Sequence, residues 1–257
     1  MVIKKRTVGS GRPLLCVPVT ETRTSRIVET INSLAARRME AIEWRADYYD
    51  HSSDPKMITA ILQEVRHKLR DTILIVTYRT RAEGGEGDAD TGLYEEILMA
   101  AADTGVPDFI DLEFAMSQKL PMLMHSLQAC GVRVIASYHN FERTPSAQQL
   151  KRKYRDMFAA GADIAKVAVM PQDFSDVCCL TEVSYEMSAA APSDRALIAI
   201  SMGQLGALTR LAGEICGSCL TFVTDGPASA PGQMSYGSVA KATDAIHACL
   251  TGGRLTG

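Results

Sequence analysis

Long apolar segments and an excess of positive charge are both missing from this 257-residue chain. No run approaches the roughly 18 consecutive apolar residues that a membrane-spanning helix needs. The basic amino terminus lacks the apolar core of a secretory signal, so we expect a cytoplasmic protein with no membrane partner. Lysine and arginine total 27 against 30 aspartate and glutamate residues, for a net charge of −3. Because nucleic-acid binding needs clustered positive charge, this balance argues against a nucleic-acid partner.

The sequence also gives no support for a cysteine-based metal site. The seven cysteines are odd in number, and most lie within apolar stretches, as buried reduced thiols do. Cys216 and Cys219 form an isolated Cys-x-x-Cys pair, but no second pair or nearby histidine pair supplies the remaining ligands of a zinc site. We therefore expect a reducing compartment and no metal at this cysteine pair.

What the sequence does contain is a regular alternation of short β-rich runs and longer runs of helical periodicity, which is typical of a parallel sheet covered by helices. Strands are predicted over residues 14–19, 41–45, 72–78, 109–112, 132–138, 164–169, 196–202 and 220–223. Amphipathic helices are predicted over residues 26–38, 56–69, 93–104, 147–160 and 239–250. Eight strand–helix units of roughly 30 residues each predict an α/β fold, the (β/α)8 TIM barrel.

We expect one barrel domain over residues 1–257, because no linker or shift in composition divides the chain. Residues 2–12 include Gly9-Ser10-Gly11 and are predicted to form a β-hairpin that closes the bottom of the barrel, the alternative being a disordered tail. A doubly wound open sheet is the second architecture. Against it, residues 17–22, in the first strand–helix turn, lack the glycine-rich pattern that binds a pyrophosphate in such sheets.

Charged residues occur at the carboxyl ends of predicted strands, where barrels of this kind have their active sites. Glu43 and Arg45 are two residues apart in one strand and therefore face the same side. They are either a structural ion pair or a guanidinium that binds a polar substrate, oriented by its carboxylate. Thr77 and Arg79 are aligned in the same way, and the glycine-rich loop after them carries Glu83.

A histidine and a lysine carry the strongest chemical signal. His139 ends the fifth predicted strand; a lone histidine is often structural, but at this end of a barrel it suits a general acid or base. Lys166 lies in the sixth strand among apolar and small residues. Burial favours the neutral amine, which can attack a ketone to form a Schiff base. The structural alternative is an ion pair with an inward carboxylate, Glu43 or Glu113.

The last two loops add polar groups at the same face. Arg210, near the start of a helix, suits a substrate carboxylate. Ser229 and Gln233 follow the last predicted strand and offer neutral hydrogen-bond groups for hydroxyls. Loops of this composition are also plain connections or mobile lids, so each residue is a weak signal by itself.

Together, these residues resemble the type I 3-dehydroquinate dehydratases (3-dehydroquinases), which are (β/α)8 barrels of the shikimate pathway. The resemblance extends over essentially the whole chain and rests on motifs in a fixed order. They are Glu43-Trp44-Arg45-Ala46-Asp47, Thr77-Tyr78-Arg79, Glu83-Gly84-Gly85, Ser137-Tyr138-His139-Asn140-Phe141, Ala165-Lys166-Val167-Ala168, Ser201-Met202-Gly203, Thr209-Arg210 and Ser229-Ala230-Pro231-Gly232-Gln233.

The resemblance implies conversion of 3-dehydroquinate to 3-dehydroshikimate and water, in which Lys166 forms the imine, His139 is the general acid and base, and Glu83 assists the histidine. It implies substrate-binding roles for Glu43, Arg45, Arg79, Arg210, Ser229 and Gln233. It also implies a homodimer, no metal and no organic cofactor. Two other functions remain open: another Schiff-base barrel such as a class I aldolase, and a non-catalytic barrel that binds a small polyhydroxy acid.

Overall fold

An antiparallel hairpin lies at the bottom of the fold. We describe residues 1–116, 120–226 and 230–252 from a computed structural model. Strand β1 (Val2–Ile3) pairs with β2 (Arg6–Thr7) in the predicted hairpin. Val8, which follows it, is buried among apolar residues inside the barrel. The expectation of a hairpin closing the amino-terminal end of the barrel is therefore confirmed.

The turn of the hairpin is not at Gly9-Ser10-Gly11. Lys4 and Lys5 form it instead, with left-handed φ angles of 45° and 65°. Positive φ angles suit the tight turns of hairpins, although asparagine and glycine are the usual residues there. Lys4 is anchored by its ammonium group, which lies 2.7 Å from the Asp108 carboxylate and donates a 2.8 Å hydrogen bond to the Thr72 carbonyl oxygen. These contacts with the barrel offset the cost of placing two lysines in the left-handed conformation.

Each of the eight predicted barrel strands is present, and three have the predicted bounds. The strands are β3 (Leu14–Val19), β4 (Ala41–Arg45), β5 (Ile73–Thr77), β6 (Phe109–Glu113), β7 (Arg133–Asn140), β8 (Ile164–Val169), β9 (Ala196–Ser201) and β10 (Leu220–Thr224), followed by the short β11 (Met234–Ser235). Their spatial order is β11-β10-β3-β4-β5-β6-β7-β8-β9, and every pairing between them is parallel. Strand β7 runs two residues further than predicted, so His139 belongs to the strand and pairs with Ala168 of β8.

Helices cover the outside of the sheet. They are α1 (Thr24–Ala36), α2 (Pro55–Val65), α3 (Thr91–Asp103), α4 (Leu120–Ala129), α5 (Ala147–Ala159), α6 (Phe174–Ala190), α7 (Ala207–Leu211), α8 (Gly213–Cys216) and α9 (Tyr236–Thr251). Side-chain caps set several helix starts: Ser146 and Gln149 form a capping box on α5, and Ser235 caps α9. None of the described helices has the length and apolar character that crossing a membrane requires.

The sheet closes into the predicted (β/α)8 barrel at a seam between β9 and β10. No regular ladder joins these two strands within the described residues; a single bridge pairs Leu197 with Ser218, just before β10. The Cys219 amide donates to the Leu197 carbonyl oxygen at 2.9 Å. The Ser218 hydroxyl accepts from the Ala199 amide at 3.1 Å, so a side chain replaces one main-chain acceptor of the missing ladder.

Alternation along the strands divides the core into two layers. In β3, Leu15, Val17 and Val19 point outward to pack under the helices, whereas Leu14 and Cys16 belong to the cluster inside the barrel. The same alternation places Glu43 and Arg45 inside the barrel, because both share the parity of the inward-facing Ala41. The lumen is thus apolar near the hairpin and charged at the carboxyl ends of the strands.

We predict that Val8→Ala lowers the free energy of unfolding by about 1–3 kcal/mol, because it removes two buried methyl groups and leaves a cavity. Val2→Ala, in the exposed part of the same hairpin, is the matched control and should change it by less than about 0.5 kcal/mol. Urea denaturation of the three proteins measures both values. Equal losses in the two variants would show that the hairpin does not seal the barrel.

Candidate active site

A cavity of about 160 Å³ opens at the carboxyl ends of the barrel strands. Its apolar wall includes Ile200, Met202 and Phe222. The structure brings together in its lining all but one of the residues predicted for the site: Glu43, Arg45, Arg79, Glu83, His139, Lys166, Arg210 and Gln233. Ser229 lies outside the described residues.

Lys166 is buried in the wall of the cavity. It lies in β8, is 4% exposed, and its Nζ donates a 2.9 Å hydrogen bond to Asp111 Oδ2. Glu43 Oε1 is 3.8 Å from the same nitrogen, and the ring centroid of Phe222 is 4.6 Å away. Of the two carboxylates weighed as partners from the sequence, Glu43 is therefore a distant one. Glu113 is not a partner of Lys166, because it instead accepts hydrogen bonds from the main chain and side chain of Thr80.

Asp111 is a buried carboxylate next to Lys166 that the sequence pattern did not single out. It lies in the middle of β6, where it faces the lumen two residues from Glu113. Alone, burial would raise the pKa of Asp111, but the positive charges of Arg79 and Lys166 lower it below the ordinary value. The available signal was the pattern Asp111-x-Glu113 in a buried strand, because two carboxylates on one face need cationic partners.

Arg79 is the cation that collects these carboxylates. It is 3% exposed, and its Nη2 donates a 2.7 Å hydrogen bond to Asp111 Oδ1. Its Nη1 lies 2.9 Å from Ser137 Oγ, 3.2 Å from Glu113 Oε1 and 3.4 Å from Glu83 Oε2. Burial opposes the charge on Arg79, but the surrounding carboxylates raise its pKa above the ordinary value. Arg79 is therefore already paired with protein groups while it lines the cavity.

His139 and Glu83 form a hydrogen-bonded dyad. His139 Nδ1 lies 2.8 Å from Glu83 Oε2, and the His139 amide donates to the same oxygen at 3.1 Å. Burial raises the pKa of Glu83 to about 8, against the opposing effect of Arg79. Burial also lowers the pKa of His139 well below its ordinary value, and Arg79 and Lys166 add to that shift. The dyad thus favours a neutral histidine beside a protonated carboxyl group at neutral pH.

Arg45 and Glu43 share a face of β4, as predicted, but have separate partners. Asp47 binds Arg45 through two hydrogen bonds, of 2.9 Å from Nε and 2.8 Å from Nη2. Glu43 instead accepts a 2.8 Å hydrogen bond from the Thr77 hydroxyl. The carboxylate that orients Arg45 is therefore Asp47 and not Glu43. Asp47 also accepts from the Glu86 amide at 3.1 Å, which ties the glycine-rich loop to this pair.

Arg210 faces the opposite side of the cavity. It is 2% exposed, and its Nη2 donates a 3.0 Å hydrogen bond to the Pro231 carbonyl oxygen. Its buried Nε finds no hydrogen-bond partner among the described residues. Burial lowers the pKa of Arg210 to about 10. A buried guanidinium that lacks a carboxylate partner in the described protein suits an anionic ligand.

The loop that carries Glu83 folds tightly, and at two of its positions only glycine fits. A Cβ at Gly85 would overlap the carbonyl group of Arg79, and one at Gly87 would overlap the Tyr78 ring. The Gly87 amide donates to the Arg79 carbonyl oxygen at 2.9 Å. This return of the chain ends β5 and places Glu83 beside His139.

The charged groups of the cavity do not assemble into a metal centre. Across residues 1–116, 120–226 and 230–252, no group of three histidine, cysteine, aspartate or glutamate side chains has an arrangement that holds a metal ion. The seven cysteines are free thiols. The carboxylates of the site are instead neutralised by lysine and arginine.

Similar proteins share this fold over nearly the whole chain. A family model described as type I 3-dehydroquinase matches residues 15–249. The 3-dehydroquinate dehydratase of Bacillus licheniformis is 37% identical over 242 residues, which cover 94% of this chain and 95% of the relative. The crystal structure of the type I 3-dehydroquinate dehydratase from Clostridium difficile, with covalently modified comenic acid, has a TM-score of 0.91 at 33% identity and covers 97% of this chain and 98% of that one. The 3-dehydroquinate dehydratase structure from Geobacillus kaustophilus has a TM-score of 0.90 at 28% identity, with coverage of 96% and 95%.

We predict that Asp111→Asn lowers the free energy of unfolding by about 3 kcal/mol at neutral pH, because it leaves two buried cations without their shared carboxylate. The pKa of Asp111 is lowered in the folded state, so its contribution is complete above about pH 4 and is lost as the pH falls below that value. The loss caused by the substitution should therefore diminish in acid.

The matched control for this prediction is Asp88→Asn, which removes an exposed carboxylate 3.4 Å from Arg81 and should cost less than about 0.5 kcal/mol. Urea denaturation at several pH values measures both variants. If Asp111→Asn were no more destabilising than its control, Asp111 would not be the carboxylate that neutralises Arg79 and Lys166.

Proposed function

The chain belongs to the type I 3-dehydroquinase family, and we propose the roles that its residues take in the family's reaction. It is a carbon–oxygen lyase that converts 3-dehydroquinate to 3-dehydroshikimate and water through a lysine Schiff base, a step of the shikimate pathway of aromatic amino-acid biosynthesis. The observation that supports the assignment of roles most directly is a buried lysine, Lys166, in the same cavity as the His139–Glu83 dyad.

Lys166 supplies the nucleophile. In its neutral amine form, Nζ attacks the ketone carbon of the substrate, and the amine proton passes to the ketone oxygen. His139 Nε2 gives this hydroxyl a second proton, and it leaves as water to form the iminium. Asp111 and Glu43 lie close enough to Nζ to stabilise the positive nitrogen. The resulting iminium withdraws electrons more strongly than the ketone does.

The dyad alternates between donating and accepting one proton. With Glu83 protonated and bonded to Nδ1, the neutral His139 carries its proton on Nε2 and is a donor. Once Nε2 has given up that proton, the Glu83 proton moves to Nδ1, and Nε2 has a free lone pair. It then removes the proton beside the iminium to give an enamine. The raised pKa of Glu83, about 8, makes this internal transfer accessible.

The same pair completes the turnover. The enamine expels the hydroxyl group one carbon further on, which takes the Nε2 proton and leaves as water. His139 then accepts a proton from a second water as that water adds to the new iminium. Collapse of this adduct releases 3-dehydroshikimate and the amine of Lys166, and the dyad regains both protons.

The remaining residues of the site bind the substrate in our proposal. Arg210 binds the carboxylate, since it is buried and its Nε is unpaired within the described protein. Ring hydroxyl groups and the carbonyl group are fixed by Glu43, Arg45, Arg79, Ser229 and Gln233. Arg79 also holds Asp111 and Glu83 in place, because its two terminal nitrogens contact both carboxylates.

Four broader features belong to the same proposal. The chain forms one domain over residues 1–257, assembles as a homodimer, acts in the cytoplasm, and works without a metal or organic cofactor. Family membership supports each of them. The proposed chemistry also supports the last, since a lysine Schiff base supplies the electron sink that a cofactor would otherwise provide.

Reduction of the imine tests the proposed role of Lys166. Incubation with 3-dehydroquinate and borohydride should add one ligand-sized mass, which peptide mapping should place on Lys166. Lys166→Met should abolish the adduct, whereas Lys153→Met, which removes a half-buried lysine outside the cavity, should retain it. An adduct at another lysine would overturn the role of Lys166, and binding without any adduct would favour the non-catalytic barrel.

We predict that His139→Ala lowers kcat by roughly 10²- to 10⁴-fold, the usual contribution of a general acid and base. Trapping by borohydride should persist, because the amine and the iminium-stabilising carboxylates remain. Steady-state kinetics and the mass of the trapped protein measure the two effects separately. Turnover close to that of the unsubstituted protein would contradict the role of His139.

A further inference from the structure

An aromatic ring lies beside the His139–Glu83 dyad in the lining of the cavity. Phe141 follows β7, and its ring lies nearly parallel to the His139 imidazole, with the centroids 6.5 Å apart and an angle of 20° between the planes. Phe141 is itself 41% exposed, whereas the side chains beneath it are nearly buried, at 11% for His139 and 8% for Glu83. The ring therefore lies between part of the dyad and solvent.

The ring also rests on the main chain that carries Glu83. Gly84 directly follows the short 3-10 turn Arg81–Glu83 and has a left-handed φ of 81°. A Cβ at Gly84 would overlap the ring of Phe141. Glycine at this position thus allows the ring to lie against the backbone next to Glu83, while the same ring stacks on His139. The Phe141 side chain therefore lies against both the His139 ring and the main chain next to Glu83.

We propose that Phe141 is a positioning residue for the reaction: its ring keeps His139 and Glu83 in contact and excludes water from them. This inference rests on the proposed function of the dyad. Phe141 has no ionisable group and takes no proton, so it acts only through the two residues that it covers. A large aromatic side chain that is 41% exposed adds less to stability than a buried one, which leaves room for this second role.

Burial is the first cause of both unusual pKa values in the dyad, since it raises the pKa of Glu83 and lowers that of His139. Charged groups from neighbouring elements also face the dyad. They are Arg45, Arg79, Asp111, Glu113, Lys166 and, from α5, Lys153. All of these remain when Phe141 is replaced. A change in the pH profile of a Phe141 variant would therefore report the loss of cover.

The test compares Phe141→Ala, Phe141→Tyr and Phe141→Leu with Phe174→Ala, which removes an exposed aromatic ring at the start of α6, outside the cavity. In the unsubstituted protein, we expect the inflection of kcat/KM that reports Glu83 near pH 8. Without the ring, water reaches the carboxyl group and favours its ionised form. Phe141→Ala should thus move the inflection to lower pH by about one unit.

We expect kcat of Phe141→Ala to fall roughly tenfold, with a smaller change in KM, because part of the acid–base contribution is lost. Phe141→Tyr should restore both kcat and the pH profile, since it keeps the ring and can direct its hydroxyl group to solvent. Phe141→Leu should shift the inflection in the same direction as alanine but by less, so the proposal can be judged even if the alanine variant fails to fold. Phe174→Ala should match the unsubstituted protein.

The outcomes separate this proposal from the one on which it rests. If the unsubstituted protein formed no borohydride adduct with 3-dehydroquinate, the proposed function would fail before Phe141 was considered. If it formed the adduct but folded Phe141→Ala and Phe141→Leu had unchanged pH profiles, the cover would have no role. A uniform loss of activity at every pH, with no rescue by tyrosine, would likewise reduce Phe141 to a structural residue.

Discussion

The buried guanidinium of Arg79 is the interaction on which the site depends. It lies inside the barrel and joins Asp111 and Glu113 of β6 to Glu83 of the loop after β5. Through Asp111 it reaches Lys166, and through Glu83 it reaches His139. Without this cation, the carboxylates would repel one another at a depth where water cannot screen them. Lys166 and the His139–Glu83 dyad are thus both held by one charge that belongs to neither.

The charge balance of the lumen adds to the effect of burial in setting Glu83 apart from its neighbours. Five buried carboxyl groups, those of Glu43, Asp47, Glu83, Asp111 and Glu113, face four buried cations, those of Arg45, Arg79, Lys166 and Arg210. One negative charge is left over when all of them are ionised. A proton on Glu83 removes it, and Glu83 is the member of this set whose pKa is raised to about 8. The proton on Glu83 therefore also balances the charge of the lumen.

Much of the fold could be predicted from the sequence because barrel strands are short, regular and separated by helical periodicity. Strands β3, β4 and β8 have the predicted bounds. Parity within β4 correctly turned Glu43 and Arg45 toward the lumen, and Lys166 of β8, singled out by its apolar neighbours, lies there as well. The hairpin turn could not be located, because Lys4 is anchored by Asp108, a residue more than a hundred positions away. Asp111 and the pairing of Arg45 with Asp47 were missed since strand periodicity gives the facing of a side chain and not its partner.

The seam between β9 and β10 affects how the barrel can change size. A cylinder closed by full ladders on every side has a fixed circumference, because widening it breaks a row of hydrogen bonds. Here one joint is made by a single bridge and a serine hydroxyl group among the described residues. Widening at that joint costs few hydrogen bonds, and the strands on either side bear Ile200 and Phe222 of the cavity wall. Among the described strands, this joint therefore opposes a change in circumference with the fewest hydrogen bonds, and it does so next to the cavity.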